Sequence, residues 1–406
     1  MPAPSAPDDA TVRKALAAME DVYGPLRTLT PASAQGWTPP PASSGHLGRY
    51  LWTDAFGVLN FITLHCLTKS PTYLTCAARL IDTVHSVLGK TRSQDKYLPG
   101  ASPERPLAGG LRIGKDDESG PDGDGQYHHY LTVWMFALNR MSVVSGEAKY
   151  NDLAIQLAKA IHPAFVINRD SPRPRMRWKM SVDLSRPLVT SEGNLDPIDG
   201  YVIFSLLQKT AGDPSVLKEE IQDYKKIVDT KWKYMESDDP LDLGMTLWNV
   251  HWMAAEEAWA AAVMERELAF VNRYFEHPLE QRLAFREFGT CLGVKCAAAL
   301  SATEEENEDL LGLADDILDQ WEEVGIAEGA GGELDAVIKK QGLRPITRVM
   351  YATALIPGAS AYGISSINAR ECHRIAGLAG ATGSVVSAML LSVDLVKRIG
   401  KDVESR

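Results

Sequence analysis

Six segments of this chain place polar, chemistry-capable residues at or just before the start of an apolar run. The first carries Trp52 and Asp54. The second carries Asp124, Gln126, Tyr127 and His128, and the third Glu192, Asn194, Asp196 and Asp199. The fourth carries Asn249 and His251, preceded by Asp238, Asp239 and Asp242 in DDPLD. The fifth holds Arg286, Glu287 and Lys295, and the sixth Arg344 and Arg348. A glycine-rich turn, GGLRIGK, adds Arg112 and Lys115. Carboxylates at several helix starts suit a hard divalent cation, because magnesium takes oxygen ligands and shares them with a substrate phosphate. Asp54, Asp124, Asp196 and Asp199 are the ligands this pattern nominates. The competing explanation for each is structural: aspartate at a helix start is an ordinary N-cap, and Asp124 in GPDGDG is an ordinary turn residue.

Lys295 is the charge hardest to explain locally. It lies in GTCLGVKCAAAL, with no other charged residue between Glu287 and Glu304. A buried unpaired ammonium is costly, so Lys295 either carries its amine to the surface along its stem or points into the barrel toward an anion. The flanking Gly289 and Gly293 thin the helix there and favour the second. Two DDxxD strings present themselves as cation sites. Asp315, Asp316 and Asp319 in DDILD belong to a charged amphipathic segment and read as a solvated face. DDPLD, with Pro240 marking a first helical turn, is the better placed of the two.

The elements that must position these residues are helices, and period-2 alternation is scarce. Six segments are apolar over most of their circumference: 52–67, 126–141, 196–207, 243–259, 283–300 and 345–356. Charged amphipathic segments such as 216–232 and 307–324 fall between them. A helix apolar all round must be covered by other elements. Six inner helices covered by six outer ones is an all-α (α/α)6 toroid, and in that architecture the inner N-termini form one funnel. The alternative is an irregular helical bundle. Residues 1–48 read as an N-terminal helix and a Pro-rich wrap, and 49–406 as the toroid, in one domain overall.

Composition bounds the rest. With 45% hydrophobic and 23% charged residues the chain is of ordinary globular make-up. A net charge of −11 argues against a broad nucleic-acid surface. The five cysteines have no CxxC spacing, which points away from disulfides and structural zinc and toward the cytoplasm. The N-terminus lacks the charged and apolar regions of a signal peptide. The uncharged stretch 375–393 is rich in small residues and reads as a buried helix rather than a membrane span. Nothing in the sequence fixes the oligomeric state.

The strings RYLWTDAFGVLNF, GGLRIGK with DGQYHHYLTVWM, MSVDLSRPLV with DPIDGYV, and LAFREFGTCLGVK together resemble a family of six-hairpin helical proteins, over about residues 49–352. Its characterised fungal members are the non-canonical humulene synthases of tropolone sesquiterpenoid biosynthesis. The resemblance implies a magnesium-dependent sesquiterpene cyclase acting on farnesyl diphosphate, a prenyl diphosphate, to give a cyclic hydrocarbon such as humulene. The lysine of FREFGTCLGVK, Lys295, matches a lysine those enzymes need. Cys291 stands where they carry a bulky apolar residue that influences product geometry. On that reading Arg112, Arg286, Lys115, His128 and Asn249 contact substrate polar groups, and Trp52 and Trp248 face the carbocation, with Trp134, Phe204 and Trp252 as further aromatic candidates. Two other readings share the toroid. One is a glycoside hydrolase or sugar epimerase using Asp54 with Asp199, or His128 with His251; the other is a non-catalytic small-molecule binder.

Overall fold

The computed structural model describes residues 7–41, 49–120, 123–237, 239–271, 282–301, 303–326 and 343–360. Thirteen α-helices lie among these residues. In chain order they are α1 (Asp9–Tyr23), α2 (Pro31–Ala34), α3 (Leu51–Thr68), α4 (Pro71–Leu88), α5 (His128–Ser145), α6 (Ala148–Phe165) and α7 (Asp196–Ala211). There follow α8 (Lys218–Lys231), α9 (Pro240–Val250), α10 (Ala258–Phe270), α11 (Ala284–Ala298), α12 (Glu304–Glu323) and α13 (Arg344–Leu355).

Packing closes these helices into two rings. The inner ring runs α3–α5–α7–α9–α11–α13 and returns from α13 to α3. The outer partners are α4, α6, α8, α10 and α12, each against the inner helix before it in sequence, while α1 packs on α13 and takes the sixth outer place. Composition explains the sorting. Every residue of α3 from Leu51 to Leu64 is buried, so it needs protein on all sides. In α4 the buried residues Tyr73, Cys76, Ala77, Leu80, Ile81, Val84 and Leu88 recur at helical spacing and leave one face for solvent.

The expected (α/α)6 toroid is therefore the fold, and the inner helices all present their N-termini at one end. Glycine sets the tightest inner contact: a Cβ on Gly293 of α11 would lie 2.2 Å from the carbonyl oxygen of Gly244 in α9. One expected helix is shorter than its pattern. The segment 243–259 breaks after Val250, residues 251–256 form turns, and α10 starts anew. The hairpin needs that turn, although no glycine or proline in the segment marks it.

Two short antiparallel pairs stiffen the mouth. β1 (Gln126–Tyr127) pairs with β4 (Lys179–Met180), and β2 (Val166–Ile167) with β3 (Arg175–Met176). No helix of the described residues is long and apolar enough to cross a membrane. The segment 375–393, Cys372 and Asp238 lie outside the described residues.

Candidate acid–base site at the mouth of the toroid

Asp196 opens α7, and Asp199 lies in its first turn. Neither caps the helix: Leu195 occupies the N-cap position and makes no side-chain cap bond. Both carboxylates are nearly fully buried. His128 opens α5 and is 0% exposed. Its backbone N–H donates to the carbonyl of Trp178 at 2.9 Å, so β4 and the residue before it fix where α5 begins. One donor atom from each of His128, Asp196 and Asp199 lies within 4.8 Å of the other two.

The surroundings orient these groups. Asn249 of α9 donates from Nδ2 to Asp199 Oδ1 at 2.6 Å. Tyr224, from the outer helix α8, bonds His128 Nε2 at 2.7 Å. The Tyr224 ring reaches that position only because residue 200 is glycine; a Cβ there would meet the ring at 2.4 Å. His128 Nδ1 stands 3.4 Å from Asp196 Oδ1, and neither atom has a hydrogen-bond partner among the described residues. His129 Nδ1, from the next residue, also lies 3.9 Å from Asp196 Oδ1. Both sit at the extreme start of α5, after the extended residue Tyr127, where consecutive side chains straddle the helix end.

Asp242 completes the carboxylate group from α9. Asp239 is the N-cap of that helix, accepting from the backbone of Leu241 and Asp242. The Asp242 side chain is exposed at the mouth, where its Oδ2 accepts from the Ser237 hydroxyl at 3.4 Å. Desolvation by the surrounding protein is the largest influence on it, with Asp239 adding repulsion, and its pKa is raised to about 6. Burial, then the charges of Asp196 and Asp242, push Asp199 well above the ordinary carboxylate range.

Aromatic rings form a wall beside the carboxylates. Trp52 of α3 meets His129 at 5.6 Å and Tyr130 at 5.4 Å, and Tyr127 meets Tyr130 at 5.4 Å and Trp178 at 5.7 Å, between centroids. Trp52 is nearly buried, and its Nε1 has no partner among the described residues. Lys115 caps the wall with its ammonium 4.3 Å from the Tyr50 centroid.

The remaining nominated residues sit elsewhere. Asp54 is clamped by Arg49 Nε at 2.8 Å and by the Tyr23 hydroxyl at 3.0 Å. Asp124 receives Arg112 at 3.0 Å, Arg92 at 2.9 Å and the backbone N–H groups of Gly114 and Gly125. These pairings close loops and hold α1 against α3, so the four carboxylates expected to share magnesium split into two groups. Arg112 is consumed by Asp124 and by the carbonyls of Lys90 and Val87, and GGLRIGK is a pinned loop rather than a phosphate cradle. Arg286 pairs with Asp239 at the rim. Glu287 is taken by Arg282 and the Trp321 indole. Trp248 is core: its Nε1 donates to the Ser360 carbonyl at 3.0 Å. Trp134 turns outward to His85 of α4.

Lys295 corrects the boldest expectation. It lies in the last turn of α11, at the end of the inner helix away from the mouth. Its ammonium meets Asp315 of the outer helix α12 at 3.2 Å. The partner comes from DDILD, whose place on an outer, solvated helix is as expected. Cys291, one turn earlier, also faces α12 and donates to the Ala314 carbonyl at 3.5 Å. The expected sugar-site pairs fail too: Asp54 is clamped away from Asp199, and His251 caps the C-terminal end of α9 while His128 opens α5. Sequence reading passed over Tyr224 and undervalued Asp242. Tyr224 sits on a charged helix whose apolar face reads as packing; the signal for Asp242 was its place three residues after the cap.

No protein-family model matches the chain, and no curated protein matches it. Solved structures do. A GH76A α-1,6-mannanase from Salegentibacter sp. HEL1_6 is 11% identical, covering 86% of this chain and 99% of its own, with TM-score 0.54. A family 76 glycoside hydrolase from a bovine Bacteroides thetaiotaomicron strain is 11% identical over 86% of this chain and 77% of its own, at 0.55. An unsaturated glucuronyl hydrolase specific for heparin is 10% identical over 85% and 96%, at 0.52. The sesquiterpene cyclase expectation is overturned here: these similar structures are sugar-cleaving enzymes, and the lysine meant to hold the diphosphate is paired on the outside of the ring. At such identities the likeness establishes the fold, the (α/α)6 toroid of six hairpins.

Proposed function

We propose that this protein is a glycoside hydrolase whose acid–base groups are the aspartates of α7 and α9. The observation that carries the reading is the cluster of Asp196 and Asp199 with His128 at the start of α7, with Asp242 of the adjacent inner helix α9 near enough to raise Asp199, beside an aromatic wall. Hydrolysis of a glycosidic bond needs a proton for the leaving oxygen and a carboxylate for the attacking water. Asp242 is the donor: it is open to solvent and its pKa, raised to about 6, keeps it protonated in mildly acidic solution. Asp196 takes the proton of the water that adds to the anomeric carbon as the exocyclic C–O bond breaks. Asp199, three residues on in the same helix turn, is held by Asn249. The half-buried ring of Tyr130, backed by Trp52, supplies apolar area for a pyranose. The likeness to the mannanase, the family 76 glycoside hydrolase and the glucuronyl hydrolase adds fold-level analogy and no more.

The test is incubation with a panel of α- and β-linked oligosaccharides, neutral and uronic, followed by anion-exchange chromatography. The expected result is release of a reducing sugar from at least one member, and its loss in Asp242→Asn. No release from any member by folded protein would refute the assignment.

A further inference from the structure

The innermost part of the mouth has a feature that acid–base chemistry leaves unused. His128 is 0% exposed, and its Nδ1 has no hydrogen-bond partner among the described residues. It is aimed at Asp196, whose Oδ1 lies 3.4 Å away and is equally without one. Unsatisfied buried polar atoms are costly, and two of opposite character facing each other, with a third donor from Asp199 within 4.8 Å, mark a place built for an occupant.

We propose that His128 Nδ1, Asp196 and Asp199 bind a divalent transition-metal ion of the zinc class. Nitrogen with two carboxylate oxygens is a three-ligand set that leaves further positions open, as in catalytic zinc sites. The imidazole selects against magnesium, which favours oxygen alone. The outer contacts are those of a metal site. Tyr224 at His128 Nε2 leaves Nδ1 as the metal-facing atom when Nε2 carries the proton, and Asn249 orients Asp199. This differs from the sequence-based set, since Asp54 and Asp124 are committed to arginines and a histidine takes their place. The site is defined by binding, so it stands or falls apart from the hydrolase assignment; the two meet in one consequence. A metal on Asp196 removes the base, and excess zinc inhibits any hydrolysis the protein performs.

The experiment uses full-length protein stripped with chelator and titrated by calorimetry with zinc chloride and, separately, magnesium chloride. Cobalt(II) absorption reports the nitrogen ligand. The expected result is one zinc per chain, bound at least a hundredfold more tightly than magnesium, with visible cobalt bands. Asp196→Asn, nearly isosteric, loses at least a hundredfold in zinc affinity while circular dichroism confirms the fold. His128→Gln abolishes the cobalt bands. Zinc bound equally by wild type and Asp196→Asn is adventitious and overturns the proposal, as does zinc binding no tighter than magnesium. Both are read without sugar, so failure here is distinct from failure to hydrolyse a glycoside.

Discussion

Two neighbouring stretches of the mouth begin from the same residue type. On the α3–α5 side, Asp54 and Asp124 meet arginines at 2.8–3.0 Å, with a tyrosine hydroxyl or backbone N–H groups filling remaining acceptor sites. On the α7–α9 side, Asp196 and Asp199 form no arginine or lysine pair among the described residues, and Asp242 is raised to about 6. The difference lies in what the neighbouring loops deliver. The loop before α3 brings Arg49, and the GGLRIGK turn brings Arg112, while the segment before α7 spends Glu192 on Arg175 and Lys231 and brings no cation to the helix start. Charge neutralised in this way fixes structure. Burial without a counterion instead pushes the Asp199 carboxyl well up, the kind of shift by which acid–base sites are tuned.

Breaking the comparison should give opposite phenotypes. The largest effect is on turnover: Asp196→Asn and Asp242→Asn each lower kcat by about 10²–10⁴, the usual contribution of a positioned acid or base, while urea midpoints stay near wild type. Next comes stability on the other side. Asp124→Ala strands two arginines, one of them buried, and costs roughly 3–5 kcal/mol in urea unfolding, with turnover per folded molecule retained. A smaller effect is the pH profile. Because Asp242 must hold its proton, kcat/KM falls about tenfold per unit as pH rises beyond about 6, and Asp242→Asn abolishes that limb. The smallest is Lys295→Met. Its partner Asp315 is 63% exposed, so the change costs about 1 kcal/mol or less and leaves turnover unaltered.

The same comparison shows what the sequence makes legible. The ring of helices follows from segments apolar on every side alternating with amphipathic ones, a local property that residues 51–68 and 71–88 display plainly. The position of Asp196 and Asp199 at a helix start is also local. Which aspartates are neutralised is not, because Arg49 reaches Asp54 through a loop geometry that spacing does not encode, and Tyr23 arrives from a different helix. Lys295 failed for the same reason in reverse. It is alone in its own segment, and its counterion lies twenty residues on, across a helix–helix interface. Its distance from the mouth was readable, since eleven residues separate it from the start of α11 at Ala284, about 16 Å at 1.5 Å per residue. Tyr224 was hidden because a residue on the buried face of an outer helix reads as packing until Gly200 is seen opposite it.

The most direct measurement compares Asp242→Asn with Asp54→Asn, as turnover per folded molecule on whichever glycoside the wild type cleaves fastest. The account predicts that Asp242→Asn is at least a hundredfold slower than wild type and that Asp54→Asn, though less stable, stays within a few-fold of it. Equal turnover in the two variants, or a greater loss in Asp54→Asn, would contradict it.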